Sequence, residues 1–164
     1  MTVLQRLLSS LRAVMKSASD TAARKHLTVG HAVIVVPVGW IQLENSGERA
    51  SARSPDGYPQ LTISMLGLKA DVSFDEFKLL CSQRIEAEKR ETELSFLQAD
   101  TPLESAGLFG MYYSGAERSM GRIFSGYLSL KKGEFVTVYV EGVGIAPKEH
   151  LRTFQTLVTS LRWL

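Results

Sequence analysis

The residues able to do chemistry are few and scattered. The histidines, His26, His31 and His150, share no HExxH motif, and no C-x-x-C or Cys/His cluster exists to complete a metal site. They are expected to be unrelated surface or edge histidines. A serine nucleophile needs a strained G-x-S-x-G turn, which "MYYSGAE" around Ser114 and "IFSGYLS" around Ser125 both lack. Cys81 falls on an apolar helical stripe and reads as a buried structural thiol. The "GVG" at Gly142–Gly144 is the wrong length for a phosphate-binding or dinucleotide loop. Nothing in the pattern calls for a cofactor or a metal. Glu86, Glu88, Glu91 and Glu93, interleaved with Lys89 and Arg90, read as the solvated end of a helix, with an acidic recognition patch as the alternative. What remains is aromatic. Trp40, Tyr112, Tyr113, Tyr127 and Tyr139 combine apolar bodies with polar tips, which suits either a binding groove or core filling.

The elements that would carry these residues can be read from periodicity. The 164 residues suit one domain, and the formal charge of +2 gives no attraction to nucleic acid. One cysteine excludes an intramolecular disulfide, which fits a reducing, cytoplasmic setting. "VGHAVIVVPVGW" is a β-branched run ended by Pro37 and Gly39, and predicts one strand buried on both faces. The segments "RASAR" and "QLTISMLGL" follow as short strands between turn signals, making a meander over about 31–67. Ser73 and Glu76 form a capping box, and Phe74, Phe77, Leu80, Cys81 and Ile85 give the buried stripe of a helix over 74–91, with "EAEKRE" facing water. Four strands are then expected in "ELSFLQAD", "AGLFGMYYSG", "GRIFSGYLSL" and "FVTVYVEGVG", the last two joined by the "KKGE" turn. Pro147 opens a closing helix with Leu151, Phe154, Leu157, Val158 and Leu161 inward.

In "FVTVYVEGVG", Phe135, Thr137 and Tyr139 point one way and Val136, Val138 and Val140 the other. Because both faces are apolar, the sheet is expected to need cover above and below. The fold class is therefore α+β: an α/β/α three-layer sandwich around a mainly antiparallel sheet, preceded by an N-terminal amphipathic helix. Val3, Leu4, Leu7, Leu8, Leu11, Val14 and Met15 form that helix's stripe, and its polar face carries Arg6, Arg12 and Lys16 with no acid before Asp20. The expected division is 1–28, helix and linker, and 29–164, the sandwich.

The element order, "P-x-G-W" at Pro37–Trp40, the long hairpin 119–144 and the closing "SLRW" at 160–163 resemble the PsbP-like superfamily over about 29–164. That group includes the photosystem extrinsic protein, a Ran-binding import factor, DcrB-like lipoproteins and Eag-type chaperones of secretion effectors. The resemblance implies a non-enzymatic sandwich that binds other proteins. In the chaperone branch the client would be apolar helices of a secreted effector. The lipoproteins' signal and lipid-bearing cysteine have no counterpart in the first residues read here.

The leading expectation is a non-catalytic bacterial adaptor or chaperone that binds protein through Leu4, Leu7, Leu8, Leu11, Trp40, Tyr112 and Tyr139. One alternative is a small-molecule binder or an enzyme with an aromatic pocket near Trp40 and Tyr139. The other is a peripheral membrane protein held to anionic lipid by residues 1–16, although that stripe lacks Trp and Phe. Nothing in the sequence sets the oligomeric state.

Overall fold

The computed structural model describes residues 24–68, 71–91 and 93–164. The expected helix over residues 3–15 lies outside them, and with it Leu4, Leu7, Leu8 and Leu11.

The chain starts with a hairpin, β1 (Lys25–Val29) and β2 (Ala32–Val36). Gly30 turns between them at φ 54°, so the strand expected in the apolar run is β2, and an unexpected strand, β1, precedes it. The strand β1 also begins inside the segment read as linker. A meander follows: β3 (Ile41–Asn45), β4 (Arg49–Arg53) and β5 (Gln60–Gly67). The helix α1 (Phe74–Glu91) has the expected capping box: Ser73 N–H donates to Glu76 Oε2 at 2.7 Å, and Glu76 N–H to Ser73 Oγ at 3.2 Å. Next come β6 (Phe96–Ala99), β7 (Leu103–Ser105), β8 (Leu108–Glu117), β9 (Arg122–Lys131) and β10 (Glu134–Val143). The β9–β10 turn has positive φ at both Lys132 (53°) and Gly133 (73°), the twist a two-residue hairpin turn requires. The helix α2 (Pro147–Thr159) leads into β11 (Arg162–Trp163), a short strand that pairs with β2.

The strands form two antiparallel sheets. One is eight-stranded, in the order β3-β4-β5-β10-β9-β8-β6 with β7 beside β8; the other is β1-β2-β11. The expected alternation holds in the centre. Phe124, Leu128, Leu130 and Phe135 meet Phe77 and Cys81 of α1 on one face of the large sheet. Tyr127, Val136, Val138 and Val140 belong to the core on the other face, with Ile34 and Val36 of β2 and Phe154 and Leu157 of α2. The cover of this second face corrects the simple helical layer: α2 shares it with the small sheet, because β1 and β2 are two strands that need an apolar surface of their own.

The two faces differ in extent. On the α1 face the apolar rows end at β10, apart from the Phe135 row, which reaches the exposed Leu66 of β5. Register carries them on through Ser64 and Arg49 beside Thr137, and through Thr62 and Ser51 beside Tyr139. Arg53 and Gln60 continue the next row. The alternation of "QLTISM" thus marks a strand with one polar face.

Two glycines fix the packing under α1. Gly126 lies directly opposite Tyr113, and a Cβ there would fall 2.1 Å from the tyrosine ring. Gly115 stands in the same relation to Phe124, at 2.3 Å.

Candidate functional site

Three constellations could carry function. The first is buried. His150, in the first turn of α2, points its Nε2 at Ser125 Oγ of β9, 3.1 Å away, and the Tyr112 hydroxyl lies 3.4 Å from the same oxygen. His150 is therefore not a surface histidine; it is 4 % exposed, and Ser125 2 %. The spacing gave a signal, since His150 precedes Phe154 and Leu157 by four and seven positions on the helix face that turns inward. A base beside a hydroxyl is the start of a nucleophilic pair. Yet no described protein group hydrogen-bonds His150 Nδ1 to orient the ring, and the Tyr112 and Phe154 rings pack 5.4 Å apart beside it. Burial lowers the His150 pKa to about 4, so the ring is neutral at pH 7. The cluster pairs His150 Nε2, Ser125 and Tyr112 with one another inside a core.

The second constellation ties α1 to the sheet. Arg122 Nε donates to Glu141 Oε2 at 3.0 Å, its Nη2 donates to the Tyr139 hydroxyl, and Glu117 lies 3.6 Å from Nη1. Tyr139 in turn donates to Glu88 Oε1 at 3.1 Å, while Arg84 pairs with Glu88 Oε2 at 3.0 Å. The guanidinium of Arg122 sits 5.0 Å over the Phe124 ring, which stacks on Tyr139. Burial, with the Glu88 charge, drives the Tyr139 pKa far above the ordinary phenol range, so its proton stays in place to bridge to Glu88. Burial alone would lower the Arg122 pKa, but Tyr139, Glu141 and Glu88 outweigh it and raise it. Glu88 is 5 % exposed, which corrects the reading of "EAEKRE" as wholly solvated. It follows Cys81 by seven residues and Ile85 by three, so it extends the buried stripe, and Arg84 one turn earlier supplies its counter-charge. Glu86 does face water, paired to Lys89 at 2.6 Å. Since each charge is met internally, this network fastens α1 and offers little to a ligand.

The third constellation is exposed. All five residues of β3 are exposed, and β3 is the edge of the large sheet. Ile41 (43 %), Leu43 (47 %) and the preceding Val38 (70 %) put apolar surface there. The edge is held at both ends. At its root Trp40 is 6 % exposed in the core, and Lys25 Nζ donates to the Trp40 carbonyl at 3.1 Å. At its tip Gly30 N–H donates to the Gly47 carbonyl at 3.0 Å. A register shift between Gln42 and Glu44 makes a bulge at Leu43, and Arg49 pairs with Glu44 at 3.3 Å.

The expected aromatic groove does not converge. Trp40 and Tyr112 lie in the core on the α2 side, and Tyr139 lies on the α1 side. Cys81 is buried, and burial raises its thiol pKa to about 12. Among the described residues no group of three or more His, Cys, Asp or Glu is placed to hold a metal, and no helix is long and apolar enough to cross a membrane.

No protein-family model and no curated sequence matches the chain. The solution structure of cyanobacterial PsbP (CyanoP) from Synechocystis sp. PCC 6803 superposes with a TM-score of 0.64 at 11 % identity, over 90 % of this chain and 96 % of that one. A crystal structure from Bacteroides thetaiotaomicron gives a TM-score of 0.46 at 10 % identity, over 84 % of this chain and 47 % of that one. The likeness to CyanoP at so low an identity is one of architecture: this chain has a PsbP-like fold.

Proposed function

We propose that this chain is a non-enzymatic protein-binding domain that takes an extended segment of its partner as an added strand along β3. The observation that supports this is the fully exposed edge strand, fixed at root and tip, with Val38, Ile41 and Leu43 facing solvent. An unpaired strand edge offers a row of N–H and C=O groups, and the apolar side chains beside them give selectivity. Such an edge favours an extended client over the apolar effector helices implied by the chaperone branch, because a helix has already used its backbone groups internally. The polar floor of Thr62, Ser64, Arg49 and Arg53 beside the edge suits a partner that continues past the strand.

The test is selection of peptides from a displayed random library by the full chain. Enriched peptides should alternate apolar and polar residues. Their affinity should fall by about tenfold or more, about 1.4 kcal/mol, in the double variant Ile41→Lys/Leu43→Lys. It should hold in Phe96→Ser, at the opposite edge. Absence of enrichment, or equal loss in both variants, would sink the reading.

A further inference from the structure

We propose that His31 is a phosphoryl-acceptor site: the buried carboxylate of Glu134 holds its Nε2 as an outward nucleophile, at a corner whose lysines attract small activated phosphoryl compounds. The site does not depend on the reading of β3 as a partner edge.

His31 lies in the turn before β2, and Glu134 is the first residue of β10. The fold brings these distant positions together. His31 Nδ1 lies 2.8 Å from Glu134 Oε1, and the His31 backbone N–H donates to both carboxylate oxygens, at 3.2 and 3.0 Å. Gly30 makes the approach possible, since a Cβ there would fall 2.5 Å from Glu134 Oε1. The Glu134 side chain is 11 % exposed and the His31 side chain 63 %. A carboxylate only accepts, so the ring proton sits on Nδ1 and the lone pair is left on Nε2, at the solvent side of the ring. A histidine held in this way by a carboxylate is oriented to ligate or to attack.

The neighbours decide between the two. Leu164 N–H donates to the His31 carbonyl at 2.8 Å, and Lys132 Nζ donates to the Leu164 carbonyl at 3.1 Å. Lys131 Nζ sits 5.9 Å over the ring of Trp163, the residue before Leu164. Two ammonium groups at this corner repel a metal cation and attract an anion. Among the described residues no third His, Cys, Asp or Glu is placed to complete a metal site with the pair. The other histidines lack the combination. His150 is buried against Ser125, and His26 is exposed with no carboxylate bonded to it among the described residues.

In the transfer, the Nε2 lone pair forms the new N–P bond while the P–N bond of a phosphoramidate breaks and ammonia leaves with that electron pair. Nδ1 keeps its proton throughout, and Glu134 faces the positive charge that the ring acquires.

The experiment treats the full chain with phosphoramidate and follows each histidine by peptide mass. His31 should be phosphorylated about tenfold or more faster than the exposed reference His26, and Glu134→Gln should bring it down to the His26 rate. The Lys131→Gln/Lys132→Gln chain should react more slowly with phosphoramidate but as before with the neutral electrophile diethyl pyrocarbonate. Equal rates at His26 and His31, or an undiminished His31 rate in a folded Glu134→Gln chain, would overturn the proposal. Equal slowing of both reagents in the lysine variant would overturn the choice of an anionic phosphoryl donor. Should Glu134→Gln fail to fold, nitrogen NMR of the wild-type chain decides: the neutral His31 ring should carry its proton on Nδ1, and a proton on Nε2 would sink the site.

Discussion

The two halves of the α1 face of the large sheet are built from the same kind of backbone and behave as different materials. Over β8, β9 and β10 the inward residues are Met111, Tyr113, Phe124, Leu128 and Phe135, and α1 closes them off. Over β4 and β5 the corresponding positions are Arg49, Ser51, Arg53, Thr62 and Ser64. Every strand is antiparallel, so the difference lies in side chains alone. One half derives stability from burying apolar area, and the other presents polar side chains, of which Ser51 alone is buried. The free edge lies at the margin of the polar half.

The largest expected effect breaks the covered half. Phe77 is fully buried between Phe109 and Phe135, and Phe77→Ala should cost about 3–5 kcal/mol in urea unfolding. A loss below about 1 kcal/mol would mean that α1 is not the closing layer.

Next in size is a pH effect from the α2 side. Folded His150 stays neutral down to about pH 4, whereas in the unfolded chain it titrates near its ordinary value of 6.5. Between those values the unfolded state binds the extra proton. Stability is therefore complete above about pH 6.5 and falls, by about 3 kcal/mol in all, as the pH drops through about 4. Unfolding midpoints of wild type and His150→Gln across this window should diverge in slope, and parallel slopes would contradict the buried placement.

Tyr139→Phe removes the hydroxyl between Arg122 and Glu88, and should cost about 1–2 kcal/mol without changing the secondary structure seen by circular dichroism. The smallest effect is expected on the open half. Arg53→Ser and Ile41→Ser should each stay within about 0.5 kcal/mol of wild type, since both residues are exposed. A larger loss at Ile41 would mean that its side chain is covered in the folded chain, and would sharpen the comparison.

The sequence made some of this plain and hid the rest for physical reasons. The capping box, the Lys132–Gly133 turn and the alternation in β9 and β10 are local signals, and each stands where periodicity puts it. The strand β1 is hidden because "KHLTV" follows a polar stretch and buries only Leu27 and Val29, although Gly30 after it supplies the positive φ of a turn. The edge strand β3 is invisible to periodicity because all of "IQLEN" is exposed, so it carries no burial period. Glu88 and His150 look exposed by residue type, and only their helical position tells otherwise. In both cases the stripe spacing puts them inside, and a partner within reach, Arg84 or Ser125, makes burial affordable. The aromatic groove does not form because register puts Tyr112 and Tyr127 in the row of Val138, which leaves the next residue, Tyr139, on the other face.

The Tyr113 ring occupies the volume that any side chain at position 126 would need. Those two positions are thus a single unit of inheritance. A methyl at Gly126 damages the chain until the ring across from it shrinks, and a smaller ring leaves a hole until the glycine grows. Drift at either site has to pass through a weakened intermediate, which holds this pair in place while the surface around it is free to change.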